Sequence, residues 1–260
     1  TTDRLIPRFG WHDEPLLAAQ AWHGFLALGR QCDQALLLHL LPSFVQGFGR
    51  LDYDLKPVRE EFCRFLAHVV SFADQDPIAA SWLQDFVSGT DADSRRCWAR
   101  EVGILLQVGG AEAAAGQCER WINAYWTWRI EKSLHPLDEE ERREMAEWCL
   151  YLGTAFPHAV DMLLQSGVPD LGQTRFLWDL EGSELPAKYP APAARLLAGI
   201  LRAIGGASQT DCWPASKIVR RLASVAEAPR DSLLEACGEL GRLGCAEALE
   251  LRALIEGAQG

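Results

Sequence analysis

The segment that decides the fold is Cys118-Glu-Arg-Trp-Ile-Asn-Ala-Tyr-Trp-Thr-Trp-Arg-Ile130, which holds three tryptophans and a tyrosine within eight residues. One face of a predicted helix carries Trp121, Tyr125 and Trp128, which recur at helical spacing. A second face, turned by about 100° from the first, carries Ile122, Trp126 and Ile130. A helix that is apolar on two faces has to be covered from both sides. We therefore predict a central aromatic helix over residues 111–133, with Trp121 and Trp126 buried.

The sequence on either side of this segment also predicts helices. A helix over 91–109 is capped by Asp91 or Asp93 and stops at Gly109-Gly110, and another over 138–156 begins at Asp138. No strand-like alternation of useful length is present, and the connections are short, which favours antiparallel neighbours. The predicted fold class is all-α, an irregular array of antiparallel helix pairs that resembles a HEAT-like α-solenoid.

Glycine and proline mark the predicted domain boundaries. We predict a helical array over 1–166, a loose connector over 167–190, and C-terminal helical hairpins over 191–260. One of the hairpin helices is predicted to begin at Pro214. The chain opens on Thr1 and has no methionine before Met145. This start predicts that the sequence is a fragment of a longer protein.

Composition excludes several classes of protein. The formal net charge of -11 over 260 residues disfavours a general nucleic-acid binder, because such proteins need a positive surface to displace counterions. No apolar run approaches the ~18 residues of a transmembrane helix, and no signal peptide opens the chain. We therefore predict that the protein does not bind membranes, and the net charge disfavours nucleic acid as its partner.

The eight cysteines predict the compartment. No two have C-x-x-C spacing, and most lie inside apolar helical runs. This pattern is typical of reduced, buried cysteines that pack as small apolar side chains, whereas secreted disulfide frameworks place cysteines in polar loops. The prediction is eight reduced cysteines and a cytoplasmic location.

The common catalytic motifs are missing from the sequence. It contains no phosphate-binding glycine loop, no G-x-S-x-G and no H-E-x-x-H. The six histidines are scattered, and His39 and His68, each inside an apolar run, are predicted to be core histidines. The acidic run Glu139–Glu141 is explained by the preference of a helix N-terminus for negative charge. We predict no catalytic residue, no cofactor and no metal site.

One group of basic residues is a candidate for partner binding. Arg120, Arg129 and Lys132 share the aromatic helix, and Arg142 and Arg143 follow on the next one. Arginine stacked on tryptophan or tyrosine builds a recognition surface. The competing interpretation is that the aromatic helix is a buried spine, and we favour it because packing explains two apolar faces.

The segment from Glu119 to Leu164 resembles a known family. Its elements are Trp121, Tyr125-Trp126 with Arg129, Pro136-Leu137, Met145-x-x-Trp148, Leu152, and Phe156-Pro157-x-Ala159-Val160 with Leu163. This pattern resembles the uncharacterised helical domain that lies C-terminal to sirtuin-like modules in bacterial anti-phage defence proteins. The match covers about 45 residues. It implies a sensing, autoinhibitory or assembly role, and no catalytic residue is carried over.

Together these observations predict a non-catalytic helical protein-interaction module. The resemblance implies that it is the sensing or regulatory C-terminal part of a defence effector, with a phage protein or the upstream effector module as its protein partner. Two alternatives stay open: an all-α enzyme with an unfamiliar Glu/His site, and a helical-repeat nucleic-acid binder. A deep pocket with convergent polar groups favours the enzyme, and affinity for DNA or RNA at low salt favours the nucleic-acid binder.

Overall fold

A computed structural model describes residues 56–72, 81–133, 135–205, 209–225 and 227–257, and the single positions 24, 26, 38, 39, 41 and 45. Within these ranges the chain is helical and has no strand, which confirms the all-α prediction. The HEAT-like arrangement stays a prediction. The sequence also predicts helices over residues 13–29 and 32–41, and apart from those single positions these two ranges lie outside the described residues.

The helices follow one another with short links. They are α1 Lys56–Phe72, α2 Trp82–Gly89, α3 Ala92–Gln117, a π-helical turn Cys118–Ile122, α4 Asn123–Glu131, α5 Glu139–Tyr151, a 3-10 turn Gly153–Ala155, α6 Phe156–Ser166, α7 Phe176–Gly182, α8 Leu185–Lys188, α9 Pro190–Ala203, α10 Gln209–Ala223, α11 Arg230–Arg242 and α12 Ala248–Gly257.

The chain divides into two compact units, and the boundary differs from the predicted one. The first unit runs to Gly109 and resumes over Gly116–Glu141; the second contains Gly110–Ala115 and Arg142–Gly260. The predicted loose connector 167–190 lies inside the second unit and contains α7 and α8. Its apolar side chains Leu171, Phe176 and Leu180 are almost fully buried, and they hold α7 in the core despite the surrounding glycines and prolines.

The predicted helix starts at Asp91 and Asp138 and the break at Gly110 are confirmed, whereas α5 ends at Tyr151, before the predicted stop at residue 156. Asp91 Oδ1 accepts the Ser94 N–H at 2.8 Å, and Asp138 Oδ1 accepts the Glu141 N–H at 2.8 Å, so both aspartates cap helix N-termini. Gly110 interrupts α3 with φ 78° and ψ 164°, a conformation that suits glycine because it has no Cβ. The aromatic helix follows this break and ends at Glu131.

Aromatic rings form the core of the first unit, as predicted for the aromatic helix. The Trp98 and Tyr125 ring centroids lie 4.9 Å apart in an edge-to-face arrangement, and Trp121 lies 5.9 Å from Trp98. Trp121 and Trp126 are each 2% exposed, which confirms their predicted burial. On the predicted second face, Ile122 and Trp126 are buried and Ile130 is half-buried. On the first face, Trp128 is half-buried.

Helix α9 is the centre of the second unit. It packs against α6 on one side and α11 on another, and it buries leucine and isoleucine side chains on several faces. A Cβ added at Gly199 would lie 2.9 Å from Leu164 and 3.1 Å from Val168. The absence of a side chain at Gly199 therefore lets α9 approach its neighbours closely.

Helix α10 begins five residues before its predicted start at Pro214, at Gln209, so that Pro214 lies inside the helix. Two tertiary contacts hold the turn before the proline. The buried Asp211 carboxylate accepts the Gln173 N–H at 3.2 Å, and Cys212 forms a disulfide with Cys245. The disulfide shows that the prediction of eight reduced cysteines is wrong for this pair. Cys63, Cys97, Cys118, Cys149 and Cys237 are buried thiols.

The burial of the aromatic helix leads to a testable prediction. Trp126→Ala should lower the free energy of unfolding by about 3–5 kcal/mol, because a large truncation in a packed core loses buried area and leaves a cavity. Trp178→Ala is the matched control, because this substitution removes the same atoms from a side chain that is 38% exposed. Urea unfolding followed by circular dichroism measures both variants. Equal midpoints for the two variants would contradict the spine interpretation.

Candidate functional site

The predicted partner-binding residues fall in different environments. In the first unit, Arg129 has a side-chain exposure of 0%, so the structure places this predicted partner-binding residue in the interior. Arg120 is half-buried and donates to the Ser71 carbonyl at 2.6 Å, and Lys132 is exposed. In the second unit, Arg143 Nε donates to the Asp170 carbonyl at 2.8 Å, and Arg142 Nη1 donates to the Ser166 carbonyl at 3.5 Å. Four of these side chains therefore support local structure.

Arg129 belongs to a buried charge network in the first unit. Its Nη2 lies 2.5 Å from Glu141 Oε2 and its Nε donates to Glu141 Oε1 at 3.0 Å, a two-point ion pair. Arg95 Nε lies 3.4 Å from the same carboxylate, and Tyr125 Oη donates to it at 3.3 Å. Burial raises the pKa of Tyr125 well above its ordinary value, so the phenol keeps its proton. Glu141 therefore joins α3, α4 and the start of α5.

The network explains why the sequence suggested a binding site here. An arginine among aromatic residues is consistent with either a cation–π surface or a buried ion pair, and only the position of the acidic partner decides between them. Glu141 lies twelve residues after Arg129, in a run that is fully explained as a helix start. Glu141 neutralises Arg129 inside the unit, which agrees with the buried-spine interpretation and not with an exposed arginine–aromatic surface.

An exposed aromatic cluster lies in the second unit. The indole rings of Trp178 on α7 and Trp213 on α10 stack with centroids 4.7 Å apart and an interplanar angle of 25°. Lys217 Nζ lies 3.5 Å from the centroid of the Trp213 ring, a cation–π contact, and 3.8 Å from Glu181 Oε1. We call Trp178, Trp213 and Lys217 the tryptophan platform. The two rings are 38% and 44% exposed.

Sequence reasoning missed the tryptophan platform. Trp178 lay in the predicted loose connector, and Trp213 lay in a sequence that was read as a helix start. A polar neighbour is no signal of exposure, because the buried Trp126 is followed by Thr127 just as Trp178 is followed by Asp179. Their stacking across 35 residues was not predictable from the sequence.

Two carboxylates belong to the same unit as the platform. Removal of water from around Glu147 raises the pKa of its carboxyl, and the negative charge of Asp179 raises it further. Asp179 follows Trp178 directly, and Arg175 Nη2 lies 3.6 Å from its Oδ1. The pKa of Tyr151 is also raised, by burial first and then by Glu147 and Asp179. These groups make the surroundings of Trp178 acidic.

The two histidines that were predicted to lie in the core are at the surface. His39 and His68 are exposed, so the prediction that they are core histidines is wrong; each occupies the solvent side of a helix whose neighbouring residues are apolar. Among the described residues, no group of three or more histidine, cysteine, aspartate or glutamate side chains is placed to hold a metal ion. No helix in the described ranges has the length and apolar character needed to cross a bilayer.

Comparisons with known proteins give no assignment: no protein-family model, curated protein or solved structure matches the chain.

The buried charge network yields a prediction with a built-in control. Glu141→Gln should lower the free energy of unfolding by about 3–5 kcal/mol, because it leaves the buried Arg129 guanidinium without its counter-charge. Glu140→Gln changes the preceding residue, whose carboxylate pairs with Arg96 at 3.8 Å with both side chains about half exposed. That change should cost at most about 1 kcal/mol, as exposed ion pairs do. Chemical denaturation of both variants tests the network, and equal losses would contradict it.

The raised pKa of Glu147 predicts a pH dependence. A carboxyl group whose pKa is higher in the folded chain than in the unfolded chain makes the fold less stable as pH rises from the ordinary value through the raised one. Glu147→Gln should therefore raise the melting temperature at pH 7, and the difference from the wild type should vanish at about pH 3, where both states are protonated. Thermal scans over this range measure it, with exposed Glu112→Gln as the control. A pH-independent difference would exclude the titration of Glu147 as its cause.

Proposed function

We propose that the chain is a non-catalytic protein-binding module and that the tryptophan platform is part of its contact surface. The observation that carries the proposal is the stacked, solvent-exposed pair Trp178 and Trp213. Tryptophan is enriched among the residues that contribute most to protein–protein binding, because one side chain supplies a large apolar area and an N–H donor. An exposed pair of this kind offers such an area in one place.

The contrast with the other tryptophans supports this choice. In the described ranges, five tryptophans are at most 4% exposed: Trp82, Trp98, Trp121, Trp126 and Trp148. The chain therefore has cores that accommodate indole rings, and within the described ranges Trp178 and Trp213 are the two tryptophans with exposed side chains. Fully burying a large apolar side chain contributes about 1.5–3 kcal/mol. Leaving two indoles exposed gives up part of that stabilisation, and a partner that covers them recovers it.

The platform is also held in place before a partner arrives. Helix α7 packs on α10, and the first turn of α10 is fixed through Asp211 and Cys212. Lys217 keeps its ammonium over the Trp213 ring and near Glu181. A contact surface that is already ordered loses less conformational entropy when it binds. The platform therefore suits recognition by a rigid surface.

The surrounding charges favour a protein partner over a nucleic acid. Lys217 and Arg175 are each near a carboxylate, of Glu181 and Asp179 respectively, and the chain carries a net charge of -11. A phosphate backbone would meet these carboxylates, so the counterion release that drives nucleic-acid binding would be weak. An apolar or proline-containing peptide segment with positive charge fits the aromatic rings and the nearby acids.

The sequence resemblance adds a biological setting to the proposal. It supports a cytoplasmic regulatory part of a bacterial anti-phage defence effector, whose partner is a phage protein or the upstream effector module. The residues that carry it within the described ranges, such as Trp121, Trp126 and Trp148, are buried packing residues. They support a shared core, and the partner is identified by the experiment below.

The proposal is tested with a displayed random-peptide library panned against the chain. Enriched peptides should bind the wild type, and Trp178→Ala or Trp213→Ala should weaken the dissociation constant by roughly 30-fold, about 2 kcal/mol, as the loss of a central aromatic contact does. Leu249→Ala is the control, because Leu249 is 83% exposed on α12 and lies outside the platform. Fluorescence anisotropy of labelled peptides gives the constants.

Two outcomes of that experiment would overturn the proposal. One is peptide binding that neither tryptophan substitution affects. The other is the absence of enriched peptides together with binding of single-stranded DNA or RNA at about 50 mM salt that is lost in Trp213→Ala, which would make the platform a surface for base stacking.

A further inference from the structure

The disulfide lies next to the tryptophan platform in the chain. Cys212 immediately precedes Trp213, and its partner Cys245 lies between α11 and α12, 33 residues later. Helix α10 packs against both α11 and α12. The bond therefore joins the first turn of α10 to the link that follows α11, and its nearest aromatic neighbour in sequence is the exposed ring of the platform.

The first turn of α10 is weak as a helix. Pro214 lies inside α10 and has no N–H, so the carbonyl of residue 210 lacks its usual helical donor, and the proline ring crowds that carbonyl. A proline inside a helix costs about 3 kcal/mol relative to alanine. Residues 209–213 therefore depend on tertiary contacts for their helical geometry.

Two such contacts are present, and they differ in chemistry. The Asp211 carboxylate, 1% exposed, accepts the Gln173 N–H at 3.2 Å. The Cys212–Cys245 bond is covalent and can be cut by a thiol. Stacking on Trp178 is not covalent and involves two rings that are 38% and 44% exposed, so it constrains the turn less than the disulfide does. Reduction would remove the covalent contact and leave the turn held by the buried Asp211 side chain and by helix packing.

The other five described cysteines form no disulfide and are buried. Burial raises the pKa of Cys237 to about 11, which keeps this thiol protonated and a poor nucleophile. Cys212 is half-exposed, so an external thiol can reach it. Disulfides in cytosolic proteins are usually transient, and many of them sense redox state.

We propose that the Cys212–Cys245 disulfide is a redox switch for the tryptophan platform, and this inference rests on the proposed function. A dithiol reductant attacks Cys212 Sγ as a thiolate and forms a mixed disulfide, and Cys245 leaves as a thiolate and takes up a proton. The second thiol of the reductant then closes its own disulfide and releases Cys212. Two electrons pass to the protein, which gains two thiols, and the first turn of α10 with Trp213 is released.

The switch is tested first without any ligand, by hydrogen-exchange mass spectrometry on the full chain. Peptides that cover 209–217 should exchange faster after reduction with dithiothreitol, while peptides of α9 should not change, since local opening exposes only the amides of the released turn. Cys245→Ser should show the fast exchange without reductant. Cys237→Ser, a buried cysteine outside the bond, is the matched control and should keep the slow exchange.

Binding is measured second, with the peptides selected on the oxidised chain. If the released turn holds the binding geometry about a tenth of the time, the dissociation constant should rise roughly tenfold on reduction. The redox inference fails if exchange over 209–217 is the same in both states, if reduction unfolds the whole second unit, or if the thiols of Cys212 and Cys245 stay free in the presence of oxidised glutathione. A change in exchange without any peptide binding to the oxidised chain would instead overturn the proposed function.

Discussion

The first unit depends on a carboxylate that has no contact with water. Glu141 is fully buried and receives Arg129 at two points, Arg95 at 3.4 Å and the phenol of Tyr125. Burying an ion costs several kcal/mol unless partners compensate it. This requirement restricts how α3, α4 and the start of α5 can be arranged, because any other packing leaves a bare charge in the core. The aromatic rings supply most of the apolar burial, and Glu141 selects one arrangement of them.

The sequence predicted the parts of the fold that depend on local patterns. The stop at Gly110, the capping aspartates Asp91 and Asp138, and the burial of Trp121 and Trp126 all follow from spacing and from the chemistry of one or two residues. The domain boundary did not follow in this way. Glycines and prolines in 167–190 predicted a loose segment, but Leu171 and Phe176 find burial within the second unit, which no local pattern reveals.

The candidate site was hardly predictable from the sequence. Arg129 among aromatic residues looked like a recognition surface, since the position of Glu141 relative to it depends on how two helices meet. Trp213 beside Pro214 looked like a helix start, because proline is common in a first turn. In the folded chain, tertiary contacts at Asp211 and Cys212 extend the helix back through the proline. In both places a long-range partner, Glu141 for Arg129 and Cys245 for Cys212, decides what the local sequence leaves open.

The first turn of α10 depends on long-range contacts, and it also carries one of the two exposed tryptophan rings of the platform. A helix turn that forms only because of tertiary contacts changes its conformation when those contacts change. The interior of α9 is buried on several faces and does not depend on one contact in this way. The platform residue Trp213 lies within the weak turn, directly between the disulfide at Cys212 and the helix-breaking Pro214. The described cores already hold five indole rings, so the chain is able to bury a tryptophan where burial is all that is required. The placement of this indole at an anchored but breakable turn makes sense if its position, and not only its presence, is what the partner recognises.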